Sequence, residues 1–228
     1  MHIADDILPL SMTLPGFVGA GLVVADGLRR LTPATVPRVA LLTSGFLVAS
    51  LIHVPLGPTS VHLLLHGLLG IILGPLSGLA IAVALALQAV LIGHGGVTAL
   101  GINVLSMTCG AVTARTVFNG LGGRHSTVGA FAGGLWGAAL AVWISALAVY
   151  AALRIGGDEF RGLAGVIFAA YAPVALLEGL VTAFAAAFIL RVRPDLFTVT
   201  WDRQRACDLH RTLAGRSRED GACGEADP

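Results

Sequence analysis

Apolar runs long enough to cross a lipid bilayer follow one another along most of this chain. A membrane-spanning helix needs about 20 predominantly apolar residues. We read seven candidates, at 10–28, 36–54, 59–73, 75–92, 97–119, 127–153 and 164–190. Inside hydrocarbon the backbone has no water to bind, and a helix satisfies its own backbone groups. Only 12% of the residues are charged, about half the share of a soluble domain, and the mean hydropathy is +0.86. The expected fold is an all-α integral membrane protein, a bundle of seven transmembrane helices. The third and fourth runs are short and meet at Gly74-Pro75, where a helix breaks and either reverses or kinks. Small residues, as in GAFAGGLWGAA from Gly129, suit close helix contact.

The charges orient the bundle. All fourteen basic residues are arginine. A P-loop needs a lysine at the nucleotide phosphates, so Walker-type ATP hydrolysis is excluded from this chain. With the N-terminus outside, the cytoplasmic side receives Arg29, Arg30, Arg38, Arg115, Arg124 and every arginine from Arg191 onward. The outer side keeps Arg154 and Arg161, offset by Asp158 and Glu159. Basic residues concentrate on the cytoplasmic side of membrane proteins, which favours this arrangement. Seven spans then put the C-terminus in the cytoplasm, giving a transmembrane domain at 1–194 and a polar tail at 195–228. Cys109, Cys207 and Cys223 are scattered with no CxxC, so neither a disulfide framework nor a thiolate metal site is indicated. No basic cluster precedes the first apolar run, so no cleavable signal is expected. Met1 is expected to stay in place because a bulky His2 follows it.

Six of the seven histidines precede residue 126. His2, His53, His62 and His94 fall at or near the outer face. His66 follows His62 by four residues and, in a helix, shares its face. His125 and His210 read as solvated cytoplasmic residues. Ionisable groups gathered at membrane depth mark pathways or sites. Met1-His2 offers one such chemistry. The α-amine and the His2 amide nitrogen close a five-membered chelate ring on a metal, and the amide with Nδ1 closes a six-membered one. One more imidazole completes a four-nitrogen square plane of the kind Ni(II) or Cu(II) adopts. The alternative is an exposed terminal histidine with no ligand role. In LIHVPLGPTSVHLLLHGLLGIILGP, from Leu51, residues Pro55, Gly57 and Pro58 break the chain. Thr59 or Ser60 is then expected to cap the next helix, with His62 in its first turn.

Four separated segments, in order, carry a resemblance: the start MHI…LP, GPTSVHLLLHGLLGIILGP, QAVLIGHGGVTALGINVLSM and the late EGLVTA. Together they resemble the CbiM/NikM family, the substrate-capturing membrane components of energy-coupling factor (ECF) transporters for cobalt and nickel, from Met1 to about Pro194. The resemblance implies a seven-helix bundle into which the N-terminal segment folds from outside. It implies a Ni2+ or Co2+ ion, as cargo, held by the Met1 amine, the His2 amide and imidazole, and His62. Gly93–Gly96 and Asn103 would line or order that site, or serve only as loop and helix geometry. No resident cofactor and no catalytic residue is implied. The implied partners are ECF ATPase subunits, a transmembrane coupling (T) subunit, a small accessory membrane subunit and membrane lipid, not nucleic acid. Departures from the pattern are Ala4-Asp5-Asp6 in place of a glycine-containing turn, His94 and His66. Asp5 and Asp6 either attract a cation or, the reading we favour, solvate the loop. His94 adds a ligand, closes the loop or does neither. His66 is a candidate supporting partner of a ligand, His53 reads as structural, and Glu178 as a structural or helix-contact acid.

Two other functions compete with this reading. His62-Leu-Leu-Leu-His66 has the histidine spacing of an HExxH metalloprotease but lacks the glutamate that acts as general base. A stand-alone ion-coupled permease is the stronger alternative, but such carriers usually hold several mid-membrane carboxylates and inverted repeats. Only Glu178 is so placed, and no repeat is evident.

Overall fold

The computed structural model describes residues 2–3, 5, 8–51, 53–56, 59–91, 93, 95–156 and 158–198. Met1–Phe197 forms one compact unit and Thr198 opens a second; the tail beyond Thr198 lies outside the described residues. In chain order the elements are β1 (His2–Ile3), α1 (Leu10–Arg30), α2 (Val36–Ser50), β2 (His53–Leu56), β3 (Thr59–His62), α3 (His66–Leu73), a 3-10 turn at Gly74–Leu76, α4 (Ser77–Leu91), α5 (Leu100–Gly120), α6 (Thr127–Gly156), α7 (Asp158–Val192) and the short α8 (Asp195–Thr198). Helices dominate, as the apolar runs predict. The chain is all-helical in class, and three short strands are added to the expected helices.

Glycine contacts give the direction of each helix. A Cβ on Gly101 would overlap the backbone of Gly16 and Phe17, and one on Gly19 would meet Leu105 at 2.8 Å, so α1 and α5 run parallel at very close range. Gly78 abuts Val23 and Thr108, Gly27 abuts Leu79, and an apolar cavity beside them is lined by Phe17, Val24, Ala86 and Leu100. Helix α4 therefore runs antiparallel to α1. Gly67 and Gly70 pack on Ala114 and Ala111, and Arg115 reaches the Ile71 carbonyl at 3.5 Å, so α3 descends alongside α5. The chain thus reverses at Gly74, whose φ of 54° lies in the left-handed region open to glycine. Residues before α3 and after α4 both return to Ile3, through β3 and through Gly96. By length and composition His66–Leu91 matches a single crossing, but the packing makes it a hairpin. Of the two outcomes open at Gly74-Pro75, reversal is the one found.

Helices α5, α6 and α7 complete the bundle as an antiparallel series. Gly110 lies against Ala141, Gly133 against Phe118, Gly134 against Ala183, and Gly179 against Leu135. The stretches Leu10–Arg30, Thr127–Ile155 and Phe168–Val192 are long and apolar enough to cross a bilayer, while α2 is shorter, at 15 residues. Leu14, Val18 and Leu22 stand one turn apart on α1 and are 63%, 62% and 68% exposed, while Gly16 and Ala20 on the same helix are buried. A continuous apolar stripe of that kind needs lipid rather than water against it. The chain is a multi-pass membrane protein.

Two expected spans change in character. The second ends as helix at Ser50 and continues as β2, and the third is strand over Thr59–His62 before it becomes helix at His66. Pro55 and Pro58 interrupt any helix here, and β-branched Thr59 and Val61 favour the extended backbone. The expected cap by Thr59 or Ser60 with His62 in a first helical turn is therefore not formed, and His66 does not sit one helical turn from His62.

Candidate functional site

The three strands form one antiparallel sheet in the order β1-β3-β2, with β3 in the middle. The chain start is hydrogen-bonded into this sheet at the end where α1 and α5 begin. Its register pairs His2 with Ser60 and Ile3 with Thr59 on one side, and His53 with His62 and Pro55 with Ser60 on the other. Directly opposed residues share a face, as do residues two apart on one strand. His2, Ser60, His62 and His53 thus occupy register positions of a single face. Of the expected ligands, His2 and His62 are brought to adjacent strands. Met1 and His94 lie outside the described residues.

Ile3 fixes the position of β1. Its side chain is 1% exposed, its N–H donates to Asn103 Oδ1 at 3.1 Å, and its carbonyl accepts from Asn103 Nδ2 at 3.3 Å and from the Gly96 N–H at 3.1 Å. Asn103 is itself 2% exposed. Burial of a primary amide is favourable only when its donor and acceptor are both used, and both here grip one residue of the N-terminal strand. Asn103 and Gly96 together hold the Ile3 backbone. Asp5 adds an exposed contact: its Oδ1 accepts the Thr98 N–H at 2.8 Å and hydroxyl at 2.7 Å. The Thr98 hydroxyl, then the Thr98 amide, hold the Asp5 carboxyl below the usual carboxylate range. Asp5 therefore ties the N-terminal segment to the turn before α5, a role beyond the loop solvation favoured for it. Asp6 lies outside the described residues.

Below the sheet, His66 is fully buried. Its Nε2 lies 3.2 Å from Ser145 Oγ, whose own hydrogen goes to the Ser106 carbonyl at 3.2 Å. Nδ1 lies 3.9 Å from Oε1 of Glu178, also fully buried, and the other carboxylate oxygen accepts the Leu64 N–H at 2.9 Å. His125 is exposed in the turn between α5 and α6, as expected of a solvated residue. Reading the sequence missed the placement of His53 opposite His62 and the grip of Glu178 on the chain ahead of α3. Pro55 and Gly57 disguise the first as a mere break, and the second joins residues 114 positions apart.

Residues 2–196 match the family model described as the cobalt uptake substrate-specific transmembrane region, CbiM. A cobalt transport protein CbiM of Geobacter sulfurreducens is 35% identical over 216 residues, covering 86% of this chain and 61% of its own length. A chain of Archaeoglobus fulgidus named as a fused nickel transport protein, NikMN, is 30% identical, covering 86% and 68%. A crystal structure of a transition metal transporter shares the fold with a TM-score of 0.66 at 21% identity, covering 94% of this chain and all of the other.

Proposed function

The chain belongs to the CbiM family, a membrane transport component rather than an enzyme, and we propose on that footing that it captures Ni2+ or Co2+ at the sheet end of its bundle. The ion is held by the Met1 amine, the His2 amide nitrogen and imidazole, and the His62 imidazole. The observation that carries this reading is the register. His2 and His62 stand on neighbouring strands, offset by two residues on one face, and β1 runs antiparallel so that its start points toward the His62 end of β3. Diagonal neighbours of this kind have Cβ atoms roughly 7–8 Å apart or somewhat less, a span that two imidazoles close around one metal. Amine, amide and imidazole nitrogens are ligands that late first-row divalent ions prefer. Binding through the amide nitrogen expels its proton, so affinity falls as pH falls.

The sheet end faces outward and the opposite end faces the cytoplasm. Arg29 and Arg30 close α1, Arg38 begins α2, Arg124 lies between α5 and α6, and Arg191 closes α7, all at the opposite end. That asymmetry follows the positive-inside rule. The bundle spans the membrane seven times, with the third crossing built from β3 and α3. Energy comes from separate ATPase subunits and a T subunit, with a small accessory membrane subunit; the missing P-loop lysine suits that division of labour.

Titration of the purified protein with Ni2+ and Co2+ tests the site. Residues added ahead of Met1 should abolish high-affinity binding, and His62→Ala should do so while the protein still inserts. Unchanged affinity in both variants would refute the ligand set. Uptake in cells separates an ECF component from a self-sufficient permease, since only the former stops when the ATPase subunits are removed.

A further inference from the structure

Helix α3 begins without a cap of its own. Its N-cap residue is Leu65, which offers no side-chain acceptor, and the first amides of any helix need one. Leu65 also holds a φ of 53°, a left-handed conformation that a leucine resists. Such a conformation persists when its surroundings over-determine it, and here they do. Leu64 is fully buried and its N–H donates to Glu178 Oε2 at 2.9 Å. His66, on the other side of Leu65, is held through Nε2 by Ser145 on α6, which in turn donates to Ser106 on α5. Three helices therefore converge on a three-residue junction, and that junction starts two residues after His62.

We propose that Glu178 is a positioning residue for the metal site: from α7 it fixes the backbone at the end of the strand that carries His62, and so fixes where that imidazole is presented. The inference rests on the metal-site reading above. Among the described residues Oε1 has no hydrogen-bond partner and lies 3.9 Å from His66 Nδ1, beyond hydrogen-bond reach, whereas Oε2 holds the Leu64 N–H at 2.9 Å. What Glu178 supplies is an acceptor at a set distance from the α7 backbone. A glutamine supplies the same acceptor without the charge. An aspartate keeps the charge but withdraws the acceptor by one methylene.

The test is nickel binding to purified, monodisperse protein, with the absorption spectrum of the bound ion recorded for each variant. Glu178→Gln should bind within about threefold of the unsubstituted chain and give the same spectrum. Glu178→Asp and the acceptor-free Glu178→Met should weaken binding by about 10- to 100-fold, the range for groups that orient a metal ligand, and should shift the spectrum. Where Glu178→Met fails to fold, the order of Gln and Asp still decides, because a charge or ligand role reverses it. Aspartate binding better than glutamine, or all three variants matching the unsubstituted chain, would overturn the inference. Failure of the unsubstituted chain to bind nickel or cobalt would instead overturn the metal-site reading beneath it.

Discussion

Replacing Asn103 with leucine should loosen the N-terminal strand by a calculable amount. Leucine keeps the number and branching of the side-chain heavy atoms and is somewhat bulkier, so no water-sized cavity opens to rescue the lost bonds. The Ile3 carbonyl keeps its bond from Gly96, but the Ile3 N–H, buried and previously on Asn103 Oδ1, is left with no acceptor. An orphaned buried donor costs about 1–3 kcal/mol and the second lost bond about 1 kcal/mol more. Only the docked state suffers, since an undocked strand is hydrated. Offsetting the apolar gain of the new leucine against this leaves roughly 2 kcal/mol, or about a 30-fold rise in the undocked fraction at 1.4 kcal/mol per decade. Aminopeptidase trimming of the solubilised protein, followed by intact mass, reads that fraction directly when opening is fast relative to cleavage. Trimming should therefore accelerate about 30-fold. Nickel affinity should fall less, because apparent affinity scales with the competent fraction, and the buried Ile3 side chain and Asp5 still favour docking. A trimming rate equal to that of the unsubstituted chain would refute the account of Asn103 as the residue that holds the chain start.

Asp5 makes the same docking sensitive to acid. Its folded-state pKa is lowered, so its contribution is present above the ordinary carboxylate value and disappears as pH falls through the lowered one; trimming should be flat near neutrality and rise below about pH 4. Asp5→Ala should trim about 2- to 5-fold faster at neutral pH, as expected for an exposed hydrogen-bonded charge, and should lose that acid-induced rise. Gly70→Val should abolish a folded, monodisperse bundle on size exclusion, because its Cβ would fall on the Ala111 backbone, which no rotamer change can move aside. Gly45→Ala, at a helical site with open space around it, should leave the melting temperature unchanged or raise it slightly.

The sequence was most legible where one run of residues carries its own signal. Helices α1, α4, α5 and α6 begin and end within a few residues of their apolar runs, because lipid selects for apolar character along the whole crossing. Gly74-Pro75 announced a break. The strands were illegible for a physical reason: Thr59–His62 is four residues long, and its extended state depends on β1 and β2 coming from elsewhere in the chain. In isolation LGPTSVHLLLHG reads as a capped helix, and the histidine spacing then suggests a shared helical face. Pairing across the sheet changes both readings. His2 and His62 were legible through the resemblance, whereas the pairing of His53 with His62 follows from register alone, which no local pattern encodes. Glu178 stood out as a deep acid, but its partner is a backbone amide, and backbone amides are the same at every position of a sequence.

The chain start belongs in the bundle for a reason independent of any metal. A helix satisfies its own backbone, so a fully helical third crossing would offer the N-terminal segment nothing to bind. A strand has two open edges, and an open edge cannot be left against hydrocarbon. In this fold β2 covers one edge of β3 and β1, at the very beginning of the chain, covers the other. The hydrogen bonds that close the fold at its sheet end are thus the ones that bring His2 beside the strand of His62. With the proposed ligand set, metal capture would need no separate ordering step, since the entropy of fixing the chain start is already offset by satisfying the β3 backbone. The same coupling runs in reverse. An ion that draws the first residues toward His62 also strengthens β1 pairing, so nickel should protect the chain start from aminopeptidase in the unsubstituted protein and should protect Asn103→Leu by a larger factor.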